Sequence, residues 1–284
     1  MLEVGSASAE HTLLCMHGLR DSAQSLVPAF ERNFPPSKYR ILLPDLRGHG
    51  ESQWSAAYGM ANFILDLHNT VEQLVDGKFS LFGHSLGGHV AAKYAALYPE
   101  NVDTLIIAEG LGPPVRPYEG DDTQELVAYR GMLERFRPTK TRTMVDFEEV
   151  QRRLQRNNPR LQPDVAQALV PHLVVPHENG WRWAFDFRAN SAFIGASTDE
   201  NKKFWRQVNS PTLLVSGIHS HEYWGHAMGA DNFSGKFAEG EMENRIACFK
   251  DARHHWLEHS GHMIHYDEPQ RLGKLCFEFM EQHV

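Results

Sequence analysis

The chain has 284 residues, which suits one α/β domain with an insert, or at most two domains, and suffices to bury a large core without disulfides. With 28 Lys and Arg against 36 Asp and Glu, its formal net charge is −8, which argues against a general nucleic-acid surface. No apolar run approaches the roughly 18 residues of a membrane span, no charged-then-apolar leader pattern stands at the start, and Cys15, Cys248 and Cys276 cannot all pair; together these predict a reducing, cytoplasmic setting.

Residues 11 to 112 alternate short apolar runs with helical patterns, as a parallel sheet with crossover helices requires. The runs are Thr12–Met16, Arg40–Leu43, Phe79–Phe82 and Thr104–Ala108. Between the second and third, Met60–Val75 has helical period, with Phe63, Ile64, Leu67, Val71 and Leu74 on one face. The pattern changes at Pro113-Pro114, and helical stretches follow at Gln124–Phe136, Asp146–Arg156 and Pro163–Leu169. The run from Trp181 to Arg188 alternates aromatic and mostly polar residues, as one strand with an aromatic face. That face either packs the insert or roofs a pocket. Residues 130–160 carry nine Arg or Lys against four Asp or Glu. A solvated helical face accounts for this; a bias toward anionic substrates is the weaker account. The sheet pattern returns at Pro211–Ser216, and a last helix begins near Pro269.

The densest signal is Gly83-His84-Ser85-Leu86-Gly87, followed by Gly88. Before it, Lys78–Phe82 reads as a buried strand; after it, Gly88–Tyr98 reads as a helix stopped by Pro99. A G-x-S-x-G between strand and helix is a nucleophile elbow, with Ser85 at the positive end of a helix dipole. Upstream, His17-Gly18 ends the first apolar run; Pro44 to Gly50 (PDLRGHG) follows the second; Ser260-Gly261-His262 precedes the last helix. In order and spacing these segments resemble the α/β-hydrolase family, over nearly the whole chain apart from the middle insert.

The resemblance implies a mostly parallel, doubly wound α/β sheet. It implies a core domain of residues 1–112 and 199–284 and a mainly helical cap of residues 113–198. Only about ten residues precede the first run, so the family's opening hairpin is expected to be shortened.

A serine hydroxyl needs a base within hydrogen-bond reach. Position after Gly261 and the resemblance select His262 over His254, His255, His259 and His265. In most of the family the acid is an Asp three residues after the Gly that ends the strand matching Pro211–Ser216. Here that Gly is Gly217 and the third residue on is Ser220, which has no charge to supply. Some relatives, such as haloalkane dehalogenases, carry the acid at the tip of the strand following the elbow helix, where this chain has Glu109. An unpaired carboxylate there has little structural use. Glu109 is therefore favoured over Glu222 and Asp231. The backbone amides of Leu19 and Leu86 are the expected oxyanion hole, and His17, Gly18, His84, Trp181 and Trp183 the expected pocket lining.

Asp45, Arg47 and His49 read as turn residues. His219, His221 and His226 have the wrong spacing for H-E-x-x-H, so neither a metal nor another cofactor is expected. A serine nucleophile argues against dehalogenase and epoxide-hydrolase chemistry, which use Asp in this fold. The expected function is hydrolysis of a carboxylic ester, a small or medium acyl ester or lactone, through an acyl-enzyme on Ser85. The alternatives are carbon–carbon bond hydrolysis of a β-diketone-like substrate and a slow-turnover ligand receptor. The expected partner is a small-molecule ester, with no nucleic acid and no membrane, and the protein a monomer or homodimer.

Overall fold

The computed structural model describes residues 1–115, 120–135, 142–227 and 233–284. Its strands are β1 (Leu2–Gly5), β2 (His11–Met16), β3 (Tyr39–Leu43), β4 (Phe79–His84), β5 (Val102–Ala108), β6 (Val174–His177), β7 (Gly180–Trp183), β8 (Thr212–Gly217) and β9 (Ala252–Leu257). Seven of them form one sheet in the order β1-β3-β2-β4-β5-β8-β9. β1 pairs antiparallel with β3, and every other neighbour pair in that sheet is parallel. β1 is the single strand ahead of β2 in this chain.

The strands are near-continuous apolar runs because helices cover both faces of the sheet. On one face α2 (Met60–Leu74) and α3 (Leu86–Leu97) pack with Leu14, Leu81, Leu105 and Leu214. On the other, α1 (Val27–Phe30) and the last helix pack with Leu13, Phe82, Ile106 and Val215. Alternate residues of one strand thus serve opposite cores. Helix α3 is buried from Leu86 to Ala95 on all sides, which places the elbow at the centre of the molecule.

The segment between β5 and β8 holds α4 (Asp122–Arg135), α5 (Phe147–Asn157), α6 (Pro163–Leu173), the β6–β7 hairpin and α7 (Thr198–Trp205). Predicted residue Phe136 lies outside the described residues. Helices α5 and α6 build a third apolar cluster with Met144, Val150, Leu154, Leu169 and Tyr266. The expected strand over Trp181–Arg188 ends at Trp183. The chain then turns back to the sheet domain: Gly50 donates its N–H to the Ala184 carbonyl, Phe185 bridges to His49, and the Tyr58 hydroxyl donates to Asp186. Asp186 also accepts the Arg188 N–H and caps a 3₁₀ turn over Phe187–Phe193. Long-range polar ties thus override the local alternation. Ala189 and Ala192 of that turn join the core on the α2–α3 side. After β8 come α8 (His221–Ala227), α9 (Glu241–Ile246), α10 (Ile264–Asp267) and α11 (Pro269–Met280).

Candidate active site

Ser85 lies between β4 and α3 at φ 50°, ψ −113°, a conformation that costs a non-glycine residue of order 1–3 kcal/mol. The fold holds it there. Its N–H donates to the Ala108 carbonyl at 2.9 Å. A Cβ at Gly83 would run into the Gly87 carbonyl, and one at Gly87 into the Met16 carbonyl. The elbow is too tight for side chains on either side of the serine.

The Ser85 hydroxyl donates to His262 Nε2 at 2.9 Å, and His262 Nδ1–H donates to Glu109 Oε2 at 3.0 Å. Glu109 follows β5 at φ 54°, held by its N–H on the Val215 carbonyl. Its second oxygen accepts the Gly217 N–H and the Ser220 hydroxyl, both at 2.6 Å. Ser220, which stands where the sequence pattern expects an acid, thus donates to the Glu109 carboxylate instead. All three members of the Ser–His–Glu chain are buried, Ser85 retaining 8% exposure and Glu109 6%. Tyr223 stacks on the His262 ring at 4.0 Å and 10°, and Trp224 meets it edge-on at 4.8 Å. Burial raises the Tyr223 phenol, so it stays uncharged against the imidazole. Glu222 is turned away: Arg160 holds it through two hydrogen bonds at 3.0 and 2.6 Å. Asp231 lies outside the described residues.

The Leu19 and Leu86 amides have no acceptor among the described residues. Two buried histidines brace the loop bearing Leu19. His17 Nε2 accepts the Leu46 N–H while its Nδ1–H donates to the Gly18 carbonyl. His49 Nε2 accepts the Arg20 N–H while its Nδ1–H donates to the Arg47 carbonyl. Each ring must accept at one nitrogen, so each must be neutral. Burial pushes both down, His49 to about 3. Asp45 accepts the Ala23 and Glu51 amides and Arg47 pairs with Asp66, both as turn supports.

A second buried group lies behind the elbow. His265 Nε2–H donates to Asp21 Oδ2 at 2.8 Å, and the Tyr266 hydroxyl and Ser22 N–H donate to Asp21 Oδ1. The ring of His84 lies 4.4 Å from that of His265, and its Nε2–H donates to the His262 carbonyl. Asp21, His84 and His265 bring one potential ligand atom each within 4.8 Å of one another. The Asp21 carboxylate, however, is already occupied by three protein donors.

Ser85 borders two cavities, of about 810 and 480 Å³. The larger extends past Met132, Phe193 and Trp224, the smaller past Leu154, Trp183 and Met263. Of the expected pocket residues, His84 and Trp183 line the smaller cavity. His17, Gly18 and Trp181 line neither. The His17 ring is consumed in bracing the loop, Gly18 packs on the His84 ring so closely that a Cβ would sit 2.5 Å from it, and Trp181 packs on Phe147 within the insert. Arg20, Asn190 and Tyr223 line the larger cavity without having been singled out from the sequence. Their placement depends on partners far along the chain; only the position of Arg20 beside Leu19 signalled it.

No helix among the described residues is long and apolar enough to cross a membrane. The sequence pattern of the alpha/beta hydrolase fold matches residues 11–269. The chain is 24% identical to a serine hydrolase-like protein of Danio rerio, over 98% of this chain and 84% of that one. It is 36% identical to a candidate esterase/lipase of Haemophilus influenzae, over 95% and 83%. Among solved structures, the thioesterase domain from the curacin biosynthetic pathway superposes with a TM-score of 0.77 at 21% identity, covering 96% of this chain and 92% of that one. A sheet with one antiparallel edge strand, an elbow at its centre and a matching sequence pattern over nearly the whole length lead to one statement: the chain belongs to the alpha/beta hydrolase fold family.

Proposed function

We propose that the protein is a serine hydrolase of carboxylic esters, acting on a small or medium acyl ester or lactone through an acyl-enzyme on Ser85. The observation that carries this reading is the unbroken chain from Ser85 Oγ through His262 to Glu109, at 2.9 and 3.0 Å. The Ser85 oxygen attacks the ester carbonyl while His262 Nε2 takes its proton. Glu109 fixes the tautomer that leaves Nε2 free to accept and stabilises the imidazolium that forms. The tetrahedral oxyanion rests on the Leu19 and Leu86 amides; such donors contribute about 3 kcal/mol each to lowering the barrier. His262 returns the proton to the leaving alcohol, then draws one from the water that hydrolyses the acyl-enzyme.

We assign the cap role to the insert between β5 and β8. Its apolar cluster over α5 and α6, joined by Tyr266 from outside the insert, and its residues along both cavity walls support this. A fluorophosphonate should add once to the protein, as read by intact mass, and not at all to Ser85→Ala. Labelling that survives Ser85→Ala overturns the assignment. A series of p-nitrophenyl esters of graded chain length then measures the acyl preference.

A further inference from the structure

Arg20 follows directly on Leu19, whose amide is assigned to the oxyanion hole. Its backbone is left-handed, at φ 65°, and its amide is held there by His49 Nε2 at 3.0 Å. A long side chain at positive φ stores strain that the surroundings must support. Here they do so in a way that aims the guanidinium. Arg20 Nε and Nη2 both donate to Asn190 Oδ1, at 3.1 and 2.5 Å. Asn190 is itself oriented by its Nδ2–H on the Phe187 carbonyl. The guanidinium also lies 4.8 Å over the Phe187 ring.

An arginine offers five N–H donors. Two are used on Asn190, and the other three find no acceptor among the described residues. No carboxylate pairs with Arg20 among the described residues either, in a protein of net charge −8. Of the neighbouring cations, Arg156 lines only the smaller cavity, is exposed and likewise has no acid partner among the described residues; the other two are paired. Lys202 lines the larger cavity but faces Asp199 at 3.6 Å, and Arg160 lines the smaller one but is held by Glu222. Arg20 lines both cavities, as Ser85 does, and is itself exposed.

We propose that Arg20 binds a carboxylate on the substrate, so that the preferred ester is anionic: a hemiester of a dicarboxylic acid, or an ester whose alcohol part bears the carboxylate. The proposal rests on the hydrolase reading above and names the substrate class of that site. A guanidinium fork matches a carboxylate in two parallel hydrogen bonds. Among the described residues, Arg20 is the one cation that lines both cavities, and its one charge matches a monoanion. The Asn190 and Phe187 contacts pre-set its position, which lowers the ordering cost of binding.

The test uses matched pairs differing in one charge. Mono-p-nitrophenyl glutarate is compared with its neutral terminal amide, and 4-acetoxybenzoate with 4-acetoxybenzamide. The wild-type protein should prefer the anion in at least one pair by about 10- to 100-fold in kcat/KM, the range of charged hydrogen bonds. Arg20→Gln should bring that ratio close to one, and Arg20→Lys should restore part of it. No preference in either pair, or a preference unchanged in Arg20→Gln, overturns the proposal. A second measurement does not depend on turnover or on the variant folding. Ser85→Ala protein titrated with glutarate by calorimetry should bind it more tightly than glutaramide, and equal binding or none overturns the proposal. Failure to hydrolyse any ester counts against the hydrolase reading, and the glutarate titration then decides the Arg20 site alone.

Discussion

At the scale of single residues, Glu109 is proposed as the acid of the site although it follows β5 rather than β8. β5 and β8 are paired neighbours, with Ala108 opposite Val215. Their tips therefore lie side by side, and Glu109, one residue beyond β5, reaches His262 at 3.0 Å. The Ser220 hydroxyl at 2.6 Å turns the vacated position into a donor that helps hold Glu109. We expect Glu109→Gln to lower kcat by about 10⁴, as loss of a triad acid does, with folding retained. Glu222→Gln, whose carboxylate belongs to Arg160, should stay within about tenfold. Steady-state kinetics on p-nitrophenyl acetate check both, and near-normal turnover in Glu109→Gln beside collapse in Glu222→Gln reverses the assignment. Glu109→Ser combined with Ser220→Asp should recover about tenfold over Glu109→Ser alone, since the tips are adjacent. No recovery would mean that the β8 tip does not offer His262 an equivalent position. Nearby glycines singled out Ser85 and His262 in the sequence, and the structure brings the two side chains to 2.9 Å. Glu109 was singled out because Ser220 left the expected place without a charge, and the structure sets it 3.0 Å from His262. Arg20 was not, because its meaning lies in Asn190, 170 positions away.

At the scale of elements, the site depends on loops held by ties that cross the sheet. Asp21, two residues after Leu19, is bound to His265 and Tyr266, which sit in α10 just after His262. This pair fastens the segment following β2 to the segment carrying the base. Burial alone would raise the Asp21 carboxyl, but the hydrogen bond and charge of His265 outweigh it and hold the group below the usual carboxylate range. Asp21→Asn leaves His265 buried beside a weaker partner. It should cost about 3 kcal/mol in urea unfolding and also lower kcat through a loosened oxyanion loop. A loss below about 0.5 kcal/mol would show the pair to be idle. Gly87→Ala presses a methyl against the Met16 carbonyl and should cost about 1–3 kcal/mol and abolish fluorophosphonate labelling. Labelling at the wild-type rate would show that the elbow tolerates a side chain there. The strands and α2 were legible as periodic runs. In the insert, α5 and α6 were legible but the strand over Trp181–Arg188 was not, because the Tyr58–Asp186 and Gly50–Ala184 bonds redirect it.

At the scale of the whole molecule, the site is surrounded by histidines that the fold keeps uncharged. His17, His49, His84 and His89 are each at most 4% exposed. Burial is the largest cause lowering all four, with His49 and His89 brought to about 3. Lys93 and Arg245 push His89 further down, whereas Asp21 and Asp45 partly oppose the shift at His17 and His49. The sign follows from proton counting. Above about pH 6.5 these rings are neutral in both states and the full stability is present. As pH falls below that value, the unfolded chain takes up protons that the folded one refuses, so stability is lost. By pH 5, about 1.5 units lower, His49 and His89 should each cost about 2 kcal/mol, with His17 and His84 acting in the same direction. The urea midpoint should therefore drop steeply between pH 7.5 and pH 5.0, and His89→Gln should make the drop smaller by about 2 kcal/mol. Acid should also disable the site directly. Protonating His49 Nε2 would set its new N–H against the Arg20 N–H that it now accepts, and the loop bearing Leu19 and Arg20 would lose its brace. With His49 held down to about 3, this brace persists at pH 5.0, so stability should fall at higher pH than the loop is lost. An unchanged midpoint at pH 5.0 would mean that the fold accepts these protons and that the histidine frame is not what limits the protein in acid.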